Sequence, residues 1–225
     1  MKIIESIEEM REYSQQLKCA GKTTAAVQTD GYLHDGHMSL VNIAKENADV
    51  VVMNPIAMPD LLRVSTEWPK DYKKYLIEEE IRYQQLSLEN DLEICKKHKV
   101  DVFFHPSMLD LYPYPVKTIT ISHEVINHLL SSSNGSLQNL GASITWCLDV
   151  DIKEWNSILP DIIVVGQKDI HQSLLQKTVA TVFQFPIKVI IAPTIRDSDG
   201  LAYSSRNRFL TPSERRDATS IYQTL

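Results

Sequence analysis

Two hydrophobic periods alternate along this chain. Thr24 to Thr29, Asp49 to Asn54, Val100 to Phe104, Asp161 to Val165 and Ile187 to Ala192 are short, nearly continuous apolar and β-branched runs, the pattern of strands buried on both faces. Between them, apolar residues recur three and four apart over Ser6 to Leu17, His37 to Asn47, Lys70 to His98, Asn139 to Ile158 and Asp169 to Phe183, which predicts helices. Ser6 with Glu9 forms a capping box for the first of these, and Thr211-Pro212-Ser213-Glu214 opens a last helix running to Gln223. The Lys70 to His98 stretch is long and polar enough to be broken. Lys117 to Ile121 reads as a short edge strand, Ser122 with Glu124 as another helix start, and Ser131 to Ser136 as a loop. Strands alternating with helices, without a linker, predict an α/β fold built on a doubly wound parallel sheet with helices on both faces.

Composition narrows the function. The chain has 225 residues, 43% of them hydrophobic and 23% charged, with a net charge of −6. No basic run interleaved with aromatics is present, so nucleic acid is not an expected partner. No apolar run approaches the roughly 18 residues of a membrane span, so the expectation is a cytoplasmic protein with no membrane association. Cys19, Cys95 and Cys147 are odd in number and widely spaced, which predicts buried, inert thiols and no metal site. Seven glycines in 225 residues is less than half the usual share of ~7%. Each is therefore a candidate backbone requirement.

In an open parallel sheet, ligands lie beyond the carboxyl ends of the strands. Thr29-Asp30-Gly31-Tyr32-Leu33-His34-Asp35-Gly36-His37 leaves the first strand run and enters a helix. Two imidazoles around a glycine at a helix amino terminus suit an anion such as phosphate. Asn54-Pro55 ends the second run, where an amide offers both a donor and an acceptor. Gly166-Gln167-Lys168-Asp169 follows the fourth and brings a lysine to a helix start. Asp199 to Arg208 follows the fifth, with Ser204 and Ser205 beside Arg206 and Arg208, a loop suited to neutralising a polyphosphate.

Together, "LHDGHMSLV" (Leu33 to Val41), "GQKDIHQ" (Gly166 to Gln172) and "DGLAYSSRNRFL" (Asp199 to Leu210) resemble the pantothenate synthetases, the pantoate–β-alanine ligases of the nucleotidylyl-transferring superfamily with an H-x-G-H motif. The resemblance runs over residues 20 to 216 and implies a Rossmann-like fold. It implies ATP with Mg²⁺ as cofactors, bound by Thr29, Asp30, Gly31, His34, Gly36, His37, Gly166, Gln167, Lys168, Asp169, Ile195, Tyr203, Ser204, Ser205 and Arg206. In the family a carboxylate becomes an acyl-adenylate and an amine then attacks it. This assigns His37 and His34 to charge developing at the α-phosphate, and Lys168, Ser204, Ser205 and Arg206 to the outer phosphates. Gln172 and Asn54 match family contacts to the acid. Residues 1–195 then form the nucleotide-binding α/β domain, and 196–225 the Ser/Arg loop and a helix that resembles the start of the family's C-terminal lid. The family's lid contributes to a dimer, which makes a homodimer a candidate assembly.

The departures fall on the acid side. The family's Pro-Thr-Met-Gly is Gln28-Thr29-Asp30-Gly31 here, and the glutamine of its Asn-Pro-x-Gln-Phe is Ala57. Its Gly-His-Phe-Arg-Gly aligns with Gly135-Ser136-Leu137-Gln138-Asn139, without histidine or arginine. Pro59 to Glu89 is longer than the family's equivalent. Asp30 is placed either to face a substrate amine or to cap the following turn. The expected function is an ATP-dependent ligase joining a small carboxylic acid, pantoate or another, to an amine. A nucleotidyltransferase acting on a phosphorylated acceptor and an inactive binding relative are the alternatives.

Overall fold

The computed structural model describes residues 1–56, 68–116 and 138–224, with the side chains of 138–146 outside that set. The expected edge strand and helix start after Lys117, the loop before Gly135, and Ala57 lie outside the described residues. In chain order the elements are β1 (Lys2–Ile4), α1 (Ile7–Cys19), β2 (Thr24–Thr29), α2 (Asp35–Asn47), β3 (Val50–Pro55), α3 (Tyr72–Tyr83), α4 (Glu89–Lys97), β4 (Val102–Phe104) and α5 (Met108–Leu111). They continue with α6 (Gln138–Ile158), β5 (Ile162–Gly166), α7 (Ile170–Val182), β6 (Lys188–Ala192) and α8 (Pro212–Thr224).

All strand pairs in the sheet are parallel, in the order β1-β4-β3-β2-β5-β6. From β2 the chain steps outward through β3 to β4, then returns to place β5 on the other side of β2. The crevice between the ends of β2 and β5 is therefore the switch point where such sheets bind ligands. Register follows side-chain alternation. Ala25, Val27, Val51, Met53 and Phe103 face α2 and α4, whereas Ala26, Val52, Val102, Phe104 and Ile163 face α1, α6 and α7.

The sequence expectations hold for α1, capped by Ser6 Oγ accepting from Glu9 N at 3.3 Å, and for α8, where Thr211 and Glu214 cap each other. Strand β1 had no signal, because three residues are too few to show a period. It pairs with β4 at the edge of the sheet. The long polar stretch is not broken. Instead a π-turn at Gln84–Leu88 joins α3 to α4, and this wider turn brings Tyr83, Ser87 and Asp91 to one buried face. The cysteine expectation needs correction: only Cys95 is buried, Cys19 is exposed and Cys147 half-buried, because Cys19 ends α1 in solvent and Cys147 faces a cleft.

Gly31 needs its missing side chain twice over. Its φ is +77°, and a Cβ there would sit 2.3 Å from the Tyr83 ring. Gly21 has a φ of +69° with open space around it. Gly21→Ala should therefore cost only the left-handed backbone, about 1–2 kcal/mol. Gly31→Ala should lower the melting temperature considerably further; equal losses in thermal unfolding would show that Tyr83 yields freely.

Candidate active site

The loop leaving β2 is held from below by one carboxylate. Asp91 of α4 is fully buried and accepts from Tyr32 N at 2.9 Å, Leu33 N at 2.8 Å and Tyr83 Oη at 2.7 Å. Burial pushes its pKa up, and these hydrogen bonds pull it back. Thr29 Oγ1 accepts from Gly31 N at 3.1 Å and so caps the turn.

That loop delivers the histidine pair to the first turn of α2, where His34 is the N-cap and His37 lies inside the helix. The rings stack with centroids 3.9 Å apart. His37 Nδ1 accepts from His34 N at 3.3 Å, which places the His37 proton on Nε2. Burial, then His34 and Lys168, hold the His37 pKa down at about 3, and burial with Lys168 lowers that of His34. The pair thus acts through neutral N–H donors beside the positive end of a helix. Gly36 makes this possible, since a Cβ there would meet both His34 and Tyr203 at 2.9 Å.

From the other side of the crevice, the turn after β5 presents Lys168, whose Nζ donates to Tyr203 O at 3.4 Å. The Ser/Arg loop closes over the histidines: the Tyr203 ring lies against His34 at 5.9 Å, and Arg208 covers the Tyr32 ring at 4.2 Å. Helix α8 braces this loop. Arg215 reaches Asp199 at 2.6 Å and Asp197 at 2.7 Å, and Tyr222 packs beneath Gly200 and Arg196.

These parts enclose a cleft of about 240 Å³. Thr29, Asp30, Gly31, His34, Gly36, His37, Gly166, Lys168, Asp169, Gln172, Ile195, Tyr203, Ser204, Ser205 and Arg206 all line it. Gln167 and Asn54 are not among the lining residues. Asn54 is fully buried, and its Nδ2 donates to Phe104 O at 2.8 Å, which ties β3 to β4.

Sequence reasoning missed four polar residues at the deep end: Gln28, Asp151, Glu154 and Gln176. Gln28 Nε2 donates to Glu154 and its Oε1 accepts from Trp155 Nε1 at 2.9 Å, while Gln176 Nε2 donates to Asp151 at 2.6 Å. Burial pushes Asp151 up to about 7, with Asp30 adding to the rise, and pushes Glu154 well above its ordinary range, with Asp151 beside it. Asp151 and Glu154 stand three apart on α6, next to Val150 and Trp155, and that spacing was the available signal.

Residues 2–225 match the family model described as pantoate-beta-alanine ligase. The chain belongs to the pantoate-beta-alanine ligase family. It is 34% identical to the pantothenate synthetase of Thermotoga petrophila over its whole length and 74% of that protein, and 33% identical to that of a Geobacillus species over 73% of it. Among solved structures, it is similar to the pantoate-beta-alanine ligase of Francisella tularensis, complexed with beta-gamma ATP and beta-alanine. That similarity has a TM-score of 0.78 at 30% identity and covers 99% of this chain and 78% of that one. The pantothenate synthetase of Thermus thermophilus gives a TM-score of 0.78 at 26% identity, over 100% of this chain and 73% of that one. This ligase-family chain therefore carries the family's fold over its full length. Among the described residues, no helix is long and apolar enough to cross a membrane.

Two outcomes test the site's construction. Asp91→Asn keeps the volume but offers one acceptor oxygen to two backbone N–H groups, so it should lower the melting temperature and loosen the His34 loop, seen as faster amide exchange at Tyr32 and Leu33. For Asp151 the folded protein holds, between its ordinary 3.8 and about 7, a proton that the unfolded chain has lost. Its stabilising contribution is full below the lower value and lost as pH rises through the upper one. Asp151→Asn should therefore raise the melting temperature by several degrees at pH ~8 and leave it nearly unchanged at pH ~4.

Proposed function

We propose that this chain is an ATP-dependent acid–amine ligase that activates a small carboxylic acid other than pantoate. The observation that carries the reading is the convergence of donors at the switch point. The stacked His34 and His37, the amino terminus of α2, Lys168 and the Ser204-to-Arg206 turn face one crevice between β2 and β5. In the first step a carboxylate oxygen attacks the α-phosphorus, and pyrophosphate leaves with the electron pair of the broken P–O bond. In the second, an amine attacks the acyl carbon, and AMP departs. Neither step needs a covalent bond to the enzyme. The catalytic contribution is a set of preorganised donors aimed where phosphoryl charge develops.

His37, neutral with its proton on Nε2, donates to the α-phosphate region without the desolvation cost of a buried cation. Lys168 and Arg206 supply full charges for the outer phosphates, and the Ser204 and Ser205 hydroxyls orient them. Mg²⁺ fits as the nucleotide's counter-ion. Among the described residues, no group of three or more His, Cys, Asp or Glu side chains is arranged to cage a cation. Asp169, which lines the cleft beside Lys168, would stand as an outer partner for a hydrated ion that would offset phosphate charge. The chemistry of the acid side supports a changed substrate: Asp30 lines the cleft with the buried carboxyl groups of Asp151 and Glu154, a set with no positive charge to offer an anionic hydroxy acid.

ATP–pyrophosphate exchange across a panel of small carboxylic acids that includes pantoate tests this reading. The expected result is exchange with an acid other than pantoate, and pantoate as the best acid would overturn the substrate part. His37→Ala and Lys168→Ala should each slow exchange by about 10²-fold or more. Near-normal rates in both variants would reject the assignment, and transfer of the nucleotidyl group to a phosphorylated acceptor would replace the ligase by a nucleotidyltransferase.

A further inference from the structure

The deep end of the cleft is a wall of acceptors. Asp151 and Glu154 lie three apart on α6, at 5% and 2% exposure, and Asp30 lines the same cleft from the end of β2. The amide donors of Gln28 and Gln176 already point at these carboxyl groups, and Gln172 also hydrogen-bonds Asp151. The Trp155 indole can only donate, so Gln28 must turn its oxygen to Trp155 and its nitrogen to Glu154. Gln176 likewise turns its nitrogen to Asp151. Its Oε1 is left buried in the cleft wall, at 3% residue exposure, with no hydrogen-bond partner. The basic side chains that line the cleft, Lys168 and Arg206, both stand at the phosphate end. Carboxylates in a pocket, an orphaned acceptor among them and, among the described residues, no lysine or arginine at that end are complementary to a group that brings several N–H donors and a positive charge.

We propose that this end of the cleft binds a substrate ammonium group, so that the acid activated here is an amino acid whose amine stays protonated at a distance from the reacting carboxylate. The inference rests on the ligase reading above for the fate of that carboxylate. Asp151 and Gln176 Oε1 accept its N–H bonds, Asp30 supplies opposing charge, and the buried Glu154 carboxyl offers a further acceptor. The group held here is a spectator: an ammonium nitrogen has no lone pair and cannot attack the acyl carbon. It therefore belongs to the activated acid and not to the attacking amine. Leu40, Ile56 and Val150, which also line the cleft, suit the methylene stem between the two ends of such an acid.

The test uses the full chain. Calorimetry with a non-hydrolysable ATP analogue present compares γ-aminobutyrate, δ-aminovalerate and α,γ-diaminobutyrate with hydroxy acids of the same length and with pantoate. At least one amino acid should bind tenfold or more tightly than its hydroxy counterpart. In Asp151→Asn and Glu154→Gln, which retain the hydrogen-bonding shape and remove a buried charge, that preference should fall towards parity. Equal or tighter binding of the hydroxy acids or pantoate overturns the proposal, as does failure of every amino acid to bind. ATP–pyrophosphate exchange separates this from the ligase reading. An amine preference in binding without exchange would reject the ligase and leave the ammonium site standing. Exchange with an amino acid that Asp151→Asn leaves unaltered in KM would place the carboxylates on the attacking amine and overturn the proposal.

Discussion

Everything in the nucleotide half of the cleft hangs from the Asp91 carboxylate. A buried acceptor taking two consecutive backbone N–H groups, with the Tyr83 hydroxyl on the same oxygen as one of them, fixes the path of the chain between β2 and α2. Gly31 in its left-handed conformation lets that path pass against the Tyr83 ring, and the histidines then start the next helix in register. The α3–α4 segment therefore has a role beyond covering the sheet. Its π-turn is the distortion that brings Tyr83 and Asp91 to the same loop.

The cleft divides by charge. Neutral N–H donors, a lysine and an arginine gather where two helix amino termini point, which is favourable for phosphates before any ligand arrives. A few residues deeper, buried carboxyl groups take amide N–H bonds from Gln28 and Gln176, at a cost that burial makes plain in the raised pKa values of Asp151 and Glu154. A buried arrangement that strains its own groups is informative about what it is built to meet. The two ends of the cleft differ because they come from different elements. The phosphate end is made of loops and helix starts, the acid end of side chains on α6, β2 and α7.

Much of this was legible along the chain. The five apolar runs read as buried strands became β2 to β6, since a strand buried on both faces leaves a composition signature that needs no tertiary knowledge. The loops that line the cleft were legible because backbone approach to an anion demands glycine and local spacing, and both are written contiguously in Gly31 to His37 and Gly166 to Asp169. Asn54 adds a role that its position at a strand end did not announce: its amide nitrogen ties β3 to β4.

The parallel α/β architecture and the nucleotide motifs could be read from residue order alone, because both rest on short-range pattern. What stands opposite those motifs could not. Gln28, Asp91, Asp151, Glu154 and Gln176 come from segments far apart in the chain, and their pairing depends on strand order and on which way a helix face turns. A polar residue on a helix reads as solvent-facing until the fold buries it. That burial turns Asp151 and Glu154 from surface charges into part of the cleft wall.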